Sequence, residues 1–169
     1  MDFLSILILF FIILICIIFT GLFYDAVWTP TKKEDYDRIA QLANLQPKMT
    51  FYDLGSGSAN ILFYLSKKYD INCIGIEISP FWYFYSKIKS LFYKKVKIKY
   101  GNLYKYNISE ADVVYVFLLP KTYPKLKNKI DKELKRGAKL ILSCWPFEDS
   151  KPNNTSRKEG LVPYFLYQK

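Results

Sequence analysis

Between Phe3 and Tyr24 lie 22 consecutive residues without a charge, mostly Ile, Leu and Phe. At 1.5 Å of rise per residue such a run makes about 33 Å of helix, enough for a hydrocarbon core of about 30 Å. Only Ser5 and Thr20 interrupt it, so it lacks the polar stripe of a helix lying on a soluble core. A cleaved signal peptide would carry a shorter apolar region behind a basic start, whereas this chain opens Met1-Asp2. Residues 1–24 are therefore expected to be a transmembrane anchor. Every basic residue follows the run, so the positive-inside tendency puts the remainder on the cytoplasmic, or an equivalent reducing, side of a single-pass membrane protein. Three scattered cysteines (Cys16, Cys73 and Cys144) fit that side and make neither a disulfide framework nor a zinc cluster.

The other 145 of 169 residues suit one domain. There is no histidine, which excludes Ser-His and Cys-His nucleophile pairs, imidazole bases and His-ligated metals; no metal site is expected. The net charge is +10, and because Asp2 is the only charged side chain before residue 25, the remainder carries 25 − 14 = +11. Among these basic residues only Arg38, Arg136 and Arg157 are arginines, where a reader of nucleic acid would use more. Nucleic acid is accordingly not the expected partner, and the charge suits the anionic lipid of a bilayer.

Beyond the anchor, strand and helix patterns alternate. Thr31-Lys-Lys-Glu34 looks like a capping box opening a helix through about Asn44, with residues 25–34 as a linker. Strands are expected at 51–54, 71–78, 96–100, 112–119 and 138–144, with a last short one at 164–167. Helices are expected at about 59–68, 80–93 and 123–136. The strands are near-continuous apolar runs, which predicts an α/β fold: a doubly wound, mostly parallel Rossmann-like sheet covered on both faces, filling residues 35–169. Residues 148–160 read as a flexible stretch. In the helix after Pro80, Phe81, Phe84, Tyr85, Ile88, Leu91 and Phe92 share a stripe expected to pack on the core. Trp82, Tyr83 and Tyr93 fall off it beside Lys87, Lys89, Lys94 and Lys95, suiting either a headgroup interface or a solvated face.

In such sheets ligands bind beyond the carboxyl ends of the strands. That region holds Asp53-Leu-Gly55-Ser-Gly57-Ser-Ala59-Asn60, and Glu77 closes the next strand 20 residues past Gly57. The glycines allow a tight turn and a close backbone approach, and a carboxylate at Glu77 can accept both hydroxyls of a ribose. The third glycine of the dinucleotide fingerprint is replaced by Asn60.

This stretch resembles motif I of the class I, seven-strand S-adenosylmethionine-dependent methyltransferases. The run Glu110-Ala-Asp-Val-Val-Tyr-Val-Phe-Leu-Leu-Pro120, with Glu133-Leu-Lys-Arg-Gly137 and Ser143, narrows the likeness. It is similar to Dot1-like archaeal protein lysine methyltransferases and to membrane-anchored mitochondrial ones. Trp28-Thr-Pro-Thr31 resembles the segment those proteins fold over the cofactor. The resemblance implies S-adenosylmethionine as cofactor, bound by Thr31, Asp53, Gly55, Ser56, Gly57, Glu77, Asn102 and Leu103. Where the family usually has Asp-Gly this chain has Ser58-Ala59, and its short terminal portion is expected to truncate the last hairpin.

Methyl transfer from a sulfonium needs positioning more than acid or base, so the missing histidine is no handicap. A lysine acceptor must arrive neutral, which an apolar channel favours. Phe117, Leu118, Leu119, Trp145 and Phe147 are the candidate walls; Tyr115 and Asp112 sit early in a buried strand, and no base is assigned. Asp25 to Thr31 is a stretch of seven residues, a reach of at most about 24 Å, which holds the site near the bilayer. The expected activity is methylation of lysine on a protein substrate at the membrane surface. The alternatives are methylation of a lipid or small membrane metabolite, and a non-catalytic tethered cofactor-binding protein.

Overall fold

The computed structural model describes residues 2–23 and 29–169, with side chains in the first helix given for residues 3–13 and 15. Helix α1 runs over Phe3–Phe23. Its large apolar side chains from Phe3 to Ile13 stand 41–81% exposed. Among the described residues no helix is long and apolar enough to cross a membrane. Tyr24 to Trp28, which include the tryptophan of the expected cofactor-closing segment, lie outside the described residues.

The domain that follows holds α2 (Tyr36–Ala43), β1 (Thr50–Leu54), α3 (Asn60–Tyr69), β2 (Asn72–Glu77), α4 (Pro80–Ser90) and β3 (Val96–Tyr100). Then come β4 (Val113–Val116), α5 (Tyr123–Glu133), β5 (Lys139–Ser143), β6 (Asn154–Ser156) and β7 (Tyr164–Gln168). The seven strands lie in the order β3-β2-β1-β4-β5-β7-β6. The first five are parallel; β7 is antiparallel to both β5 and β6. The order reverses between β1 and β4, where a ligand crevice is expected.

Side chains alternate across the pleat. Phe51, Val113, Tyr115 and Ile141 join Ile39 and Ala43 of α2 and Leu62 and Leu65 of α3 on one face. Tyr52, Leu54, Val114, Leu140 and Leu142 join Leu126 and Ile130 of α5 on the other. Burial on both sides is why these strands read as unbroken apolar runs.

Four expectations need correction. The capping box does not form: no side chain caps the short 3-10 turn at Lys33–Asp35 or α2, and the Thr31 hydroxyl bonds the Tyr115 hydroxyl at 2.8 Å instead. A distant partner buried in the sheet has outcompeted a local one. The stretch 148–160 contains β6, which completes a hairpin with β7, so the last hairpin is short at β6 but present. Its polar composition reflects an edge strand of exposed and half-buried residues. Helix α5 stops at Glu133, because Leu134 turns extended to pack in the core.

The fourth concerns α4, which is turned about its axis. Phe84, Tyr85, Ile88, Leu91 and Phe92 face outward at 46–83% exposure, while Ser86 and Ser90 are buried and Tyr83 and Tyr93 pack on the core. The small serines let the helix lie close to the sheet. Their hydroxyls stay satisfied by bonding helix carbonyls, Trp82 O and Lys87 O, each at 2.7 Å.

Arg38 ties α2 to the terminal hairpin. Its guanidinium pairs with Asp35 at 2.5 Å, donates to Ser156 O at 3.1 Å and Val162 O at 3.2 Å, and lies over the Tyr164 ring. Asp35 is only 1% exposed, so its charge depends on that partner. Arg38→Met should lower stability by about 3–5 kcal/mol, the cost of stranding a buried charge. Adding Asp35→Asn should recover most of the loss in thermal melts.

Candidate cofactor site

The site begins with a backbone problem. After β1 the chain must reverse into α3 over five residues, and Gly55 (φ +94°), Gly57 (φ +51°) and Ala59 (φ +54°) all take left-handed conformations. Glycine does so freely; Ala59, with its Cβ, is strained by about 1–2 kcal/mol. It holds because its methyl is buried and its N–H donates to Ser56 O at 2.7 Å. Ser58 lies buried in the same turn, and its hydroxyl accepts from the Asn60 amide at 3.1 Å.

One carboxylate organises the turn. Glu77 Oε2 accepts the Gly57 N–H at 2.6 Å, and Oε1 accepts the Ser79 N–H at 2.7 Å. Gly55 and Ser56 donate to Ile76 O at 2.9 and 3.1 Å, stitching the turn to the end of β2. Glu77 thus bridges the glycine turn and the first residues of α4. Asp53 stands on β1 opposite Gly75 of β2 and Tyr115 of β4.

Gly75 is a site residue that the motif reading passes over. A Cβ there would lie 2.6 Å from Ser56 Oγ and 2.9 Å from Leu62 Cδ1. Only glycine lets the turn and α3 settle onto β2. The signal was available, because a glycine inside an apolar strand marks a close approach of another segment.

The electrostatics suit a cationic ligand with hydroxyls. Burial, and then the neighbouring Glu77, push Asp53 up to about 8. Burial raises Glu77 as well, opposed by the amides of Ser79, Gly57 and Ile78. Two carboxylates on adjacent strands, 4% and 7% exposed, favour positive charge beside them, and Glu77 has acceptor capacity left for a ribose diol. S-adenosylmethionine fits this donor set: Glu77 and the Gly55–Gly57 backbone would hold its ribose end and Asp53 its cationic part. When bound it supplies an electrophilic methyl group.

The remaining candidates gather at the same end of the sheet. Asn102 follows β3, and its side-chain oxygen accepts the Tyr104 N–H at 2.9 Å. Leu103 is half-buried beside it, and Gly101 donates to Glu77 O at 2.8 Å. Thr31, bonded to Tyr115, closes the Asp53 face. Phe117 is half-buried on that same face. Leu118 lies on the opposite face, 3.4 Å from where a Gly55 Cβ would stand, and so underlies the turn. Leu119 precedes the short turn into α5. Trp145 is 40% exposed, and its carbonyl accepts the Tyr123 hydroxyl. Phe147 is core, packed on Tyr123 and Tyr167. Tyr115 is fully buried with its phenol pushed up by burial, and Asp112 is spent on the Thr50 N–H and Lys135. Neither is placed to act as a base. Among the described residues no group of side chains could hold a metal ion.

Two outcomes follow. Gly75→Ala should cost about 1–3 kcal/mol by overpacking and weaken S-adenosylmethionine binding, read by melting and by calorimetric titration. In the cofactor-free protein, folded Asp53 keeps a proton that the unfolded chain releases near pH 4. Stability should therefore fall as pH rises from about 4 to 8 and level off above. Asp53→Asn should flatten the upper part of that slope in melts run across the window.

Comparison with known proteins agrees with this geometry. The chain matches the ANTKMT methyltransferase domain over residues 53–154, more than half its length. A protein-lysine N-methyltransferase of Saccharolobus islandicus is 28% identical over 123 residues, covering 68% of this chain and 73% of that protein. A lysine N-methyltransferase of Mus musculus, named for its action on ATP synthase, is 27% identical over 118 residues, 68% of this chain; the match spans about half (47%) of that protein. An RNA methyltransferase from Salinibacter ruber, crystallised with S-adenosyl-L-homocysteine, superposes with a TM-score of 0.79 at 27% identity, covering 83% of this chain and 93% of that one. A second methyltransferase complex, from Thiobacillus denitrificans, shares the fold at a TM-score of 0.61 and 20% identity over 76% of this chain and 54% of that one. The glycine turn clamped by Glu77, the seven-strand order and these relatives agree: the chain belongs to the ANTKMT methyltransferase domain family and is an S-adenosylmethionine-dependent methyltransferase.

Proposed function

We propose that this chain is a membrane-anchored protein-lysine N-methyltransferase acting on a protein at the membrane surface. The observation that carries the cofactor half is the Glu77 carboxylate holding the glycine turn and the start of α4 together at 2.6 and 2.7 Å. The acceptor half is supported by two relatives that are lysine methyltransferases and by the apolar surroundings of Phe117, packed on the core face that carries Val113 and Tyr115. An amine with an unperturbed pKa of about 10.4 loses its proton more readily in such surroundings. Holding acceptor and methyl donor in line can supply about 7–11 kcal/mol of the barrier, so the absence of any placed base is consistent with the chemistry. The anchor is supported by the uncharged run of α1 and by the +11 charge that follows it.

The test incubates membranes with S-adenosylmethionine labelled in its methyl group and either wild type or Glu77→Ala. The label is then divided among protein, lipid and nucleic acid. Label is expected in protein, on lysine, and should fall by at least about tenfold with Glu77→Ala, matching the roughly 1.5–3 kcal/mol of a hydrogen bond to a charged group. Label in lipid would favour a lipid methyltransferase, and label in RNA would overturn the protein assignment. An absence of label together with an absence of cofactor binding would point to a tethered, non-catalytic protein.

A further inference from the structure

Helix α4 leaves the cofactor site with its apolar side turned away from the protein. Phe84 (63% exposed) and Ile88 (62%) share one face of α4 with Tyr85 (46%) beside them, and Leu91 (76%) and Phe92 (83%) extend it in the turn that follows Ser90. These side chains expose on the order of 600 Å² of mainly apolar surface, at the upper limit for the largest patch on a soluble monomer. At about 100° per residue, exposed Lys87 borders the stripe on one side and exposed Lys94 follows in the turn before β3, while Lys89 on the other side is held by Asn60 Oδ1 at 2.7 Å and Lys95 by Asp70. Helix α1, itself apolar and exposed, approaches α4 yet leaves the stripe uncovered.

We infer that the outward face of α4 docks on an anionic lipid bilayer, its rings and aliphatic side chains entering the headgroup region while Lys87 and Lys94 meet lipid phosphates. An apolar face rimmed by lysine on a helix lying flat is the form such contacts take. Charge complementarity with anionic lipid and the neighbouring apolar helix select this occupant over a second copy of the chain, whose net charge of +10 would repel the lysine border. The consequence is orientation. Because Glu77 and Ser79 immediately precede α4, a docked α4 holds the cofactor turn at a set height above the bilayer, where a tether alone would let the domain tumble.

This inference rests on the membrane reading above, and its test separates the two. Full-length protein, with Cys16, Cys73 and Cys144 replaced by alanine, is reconstituted into phosphatidylcholine–phosphatidylserine vesicles. A nitroxide is attached in turn at Leu91→Cys, at Phe10→Cys in α1 and at Lys158→Cys, an exposed position in the turn between β6 and β7. Collision rates are then measured with oxygen and with a water-soluble nickel chelate. At Leu91 nickel collisions should fall severalfold below those at Lys158 while oxygen collisions rise. Placing Ile88→Glu and Phe92→Glu in the same protein should abolish the difference without changing its melting temperature, since both side chains are exposed. If Leu91 meets nickel as freely as Lys158 while Phe10 is protected, the docking fails and the anchor stands. If neither Leu91 nor Phe10 is protected, both readings fail. Leu91 labels that broaden one another until diluted with unlabelled protein would assign the face to a second copy and overturn the proposal.

Discussion

The domain depends on a carboxylate that has given up water. Glu77 is 7% exposed and survives as a useful acceptor because backbone N–H groups from two directions, Gly57 and Ser79, converge on it. Each of those bonds fixes one end of a segment that its other contacts hold farther along. The first holds a turn of left-handed residues that would otherwise relax, and the second sets where α4 starts and so how it lies against β3. The sheet supplies the rigid platform, but the carboxylate converts the ends of two strands into a pocket. Gly75 performs the complementary task from below, since the absence of its side chain is what lets Ser56 and Leu62 come down onto β2.

Much of this was legible in the sequence, and the reason is that parallel strands are buried on both faces. Continuous apolar runs such as Val113–Val116 announce themselves, and the spacing from the glycine turn to Glu77 follows from one strand–helix–strand unit of fixed dimensions. The candidate cofactor residues from Asp53 to Gly57, with Glu77, Asn102 and Leu103, could be placed for the same reason: they lie at or just past the ends of β1, β2 and β3, and strand ends are what alternation locates best. Gly75 escaped because its role is negative, an empty volume that only the approach of Ser56 reveals. The Thr31 hydroxyl was misread because a local capping pattern and a distant buried phenol compete for it, and sequence spacing carries no information about Tyr115.

Helix α4 illustrates a different limit. Periodicity shows that one face is apolar but not which way the helix is turned. A core-facing helix and a surface helix with an apolar outer face produce the same stripe. The decision lay with Ser86 and Ser90, small enough to approach the sheet and able to satisfy their hydroxyls within the helix. Two polar residues went inside and five large apolar ones stayed out, reversing the usual partition because closeness of approach, not polarity, decided the packing.

The edges of the sheet carry a final consequence. At one end β3 pairs only with β2 and carries Lys97 and Lys99 along its length; at the other, β6 is three residues long. A lysine-bearing edge and a very short one are both poor templates for adding a strand from another molecule. Copies crowded together at high local concentration therefore resist amyloid-like, edge-to-edge growth, and a protein that displays so many apolar side chains keeps its backbone hydrogen bonds out of reach of its neighbours.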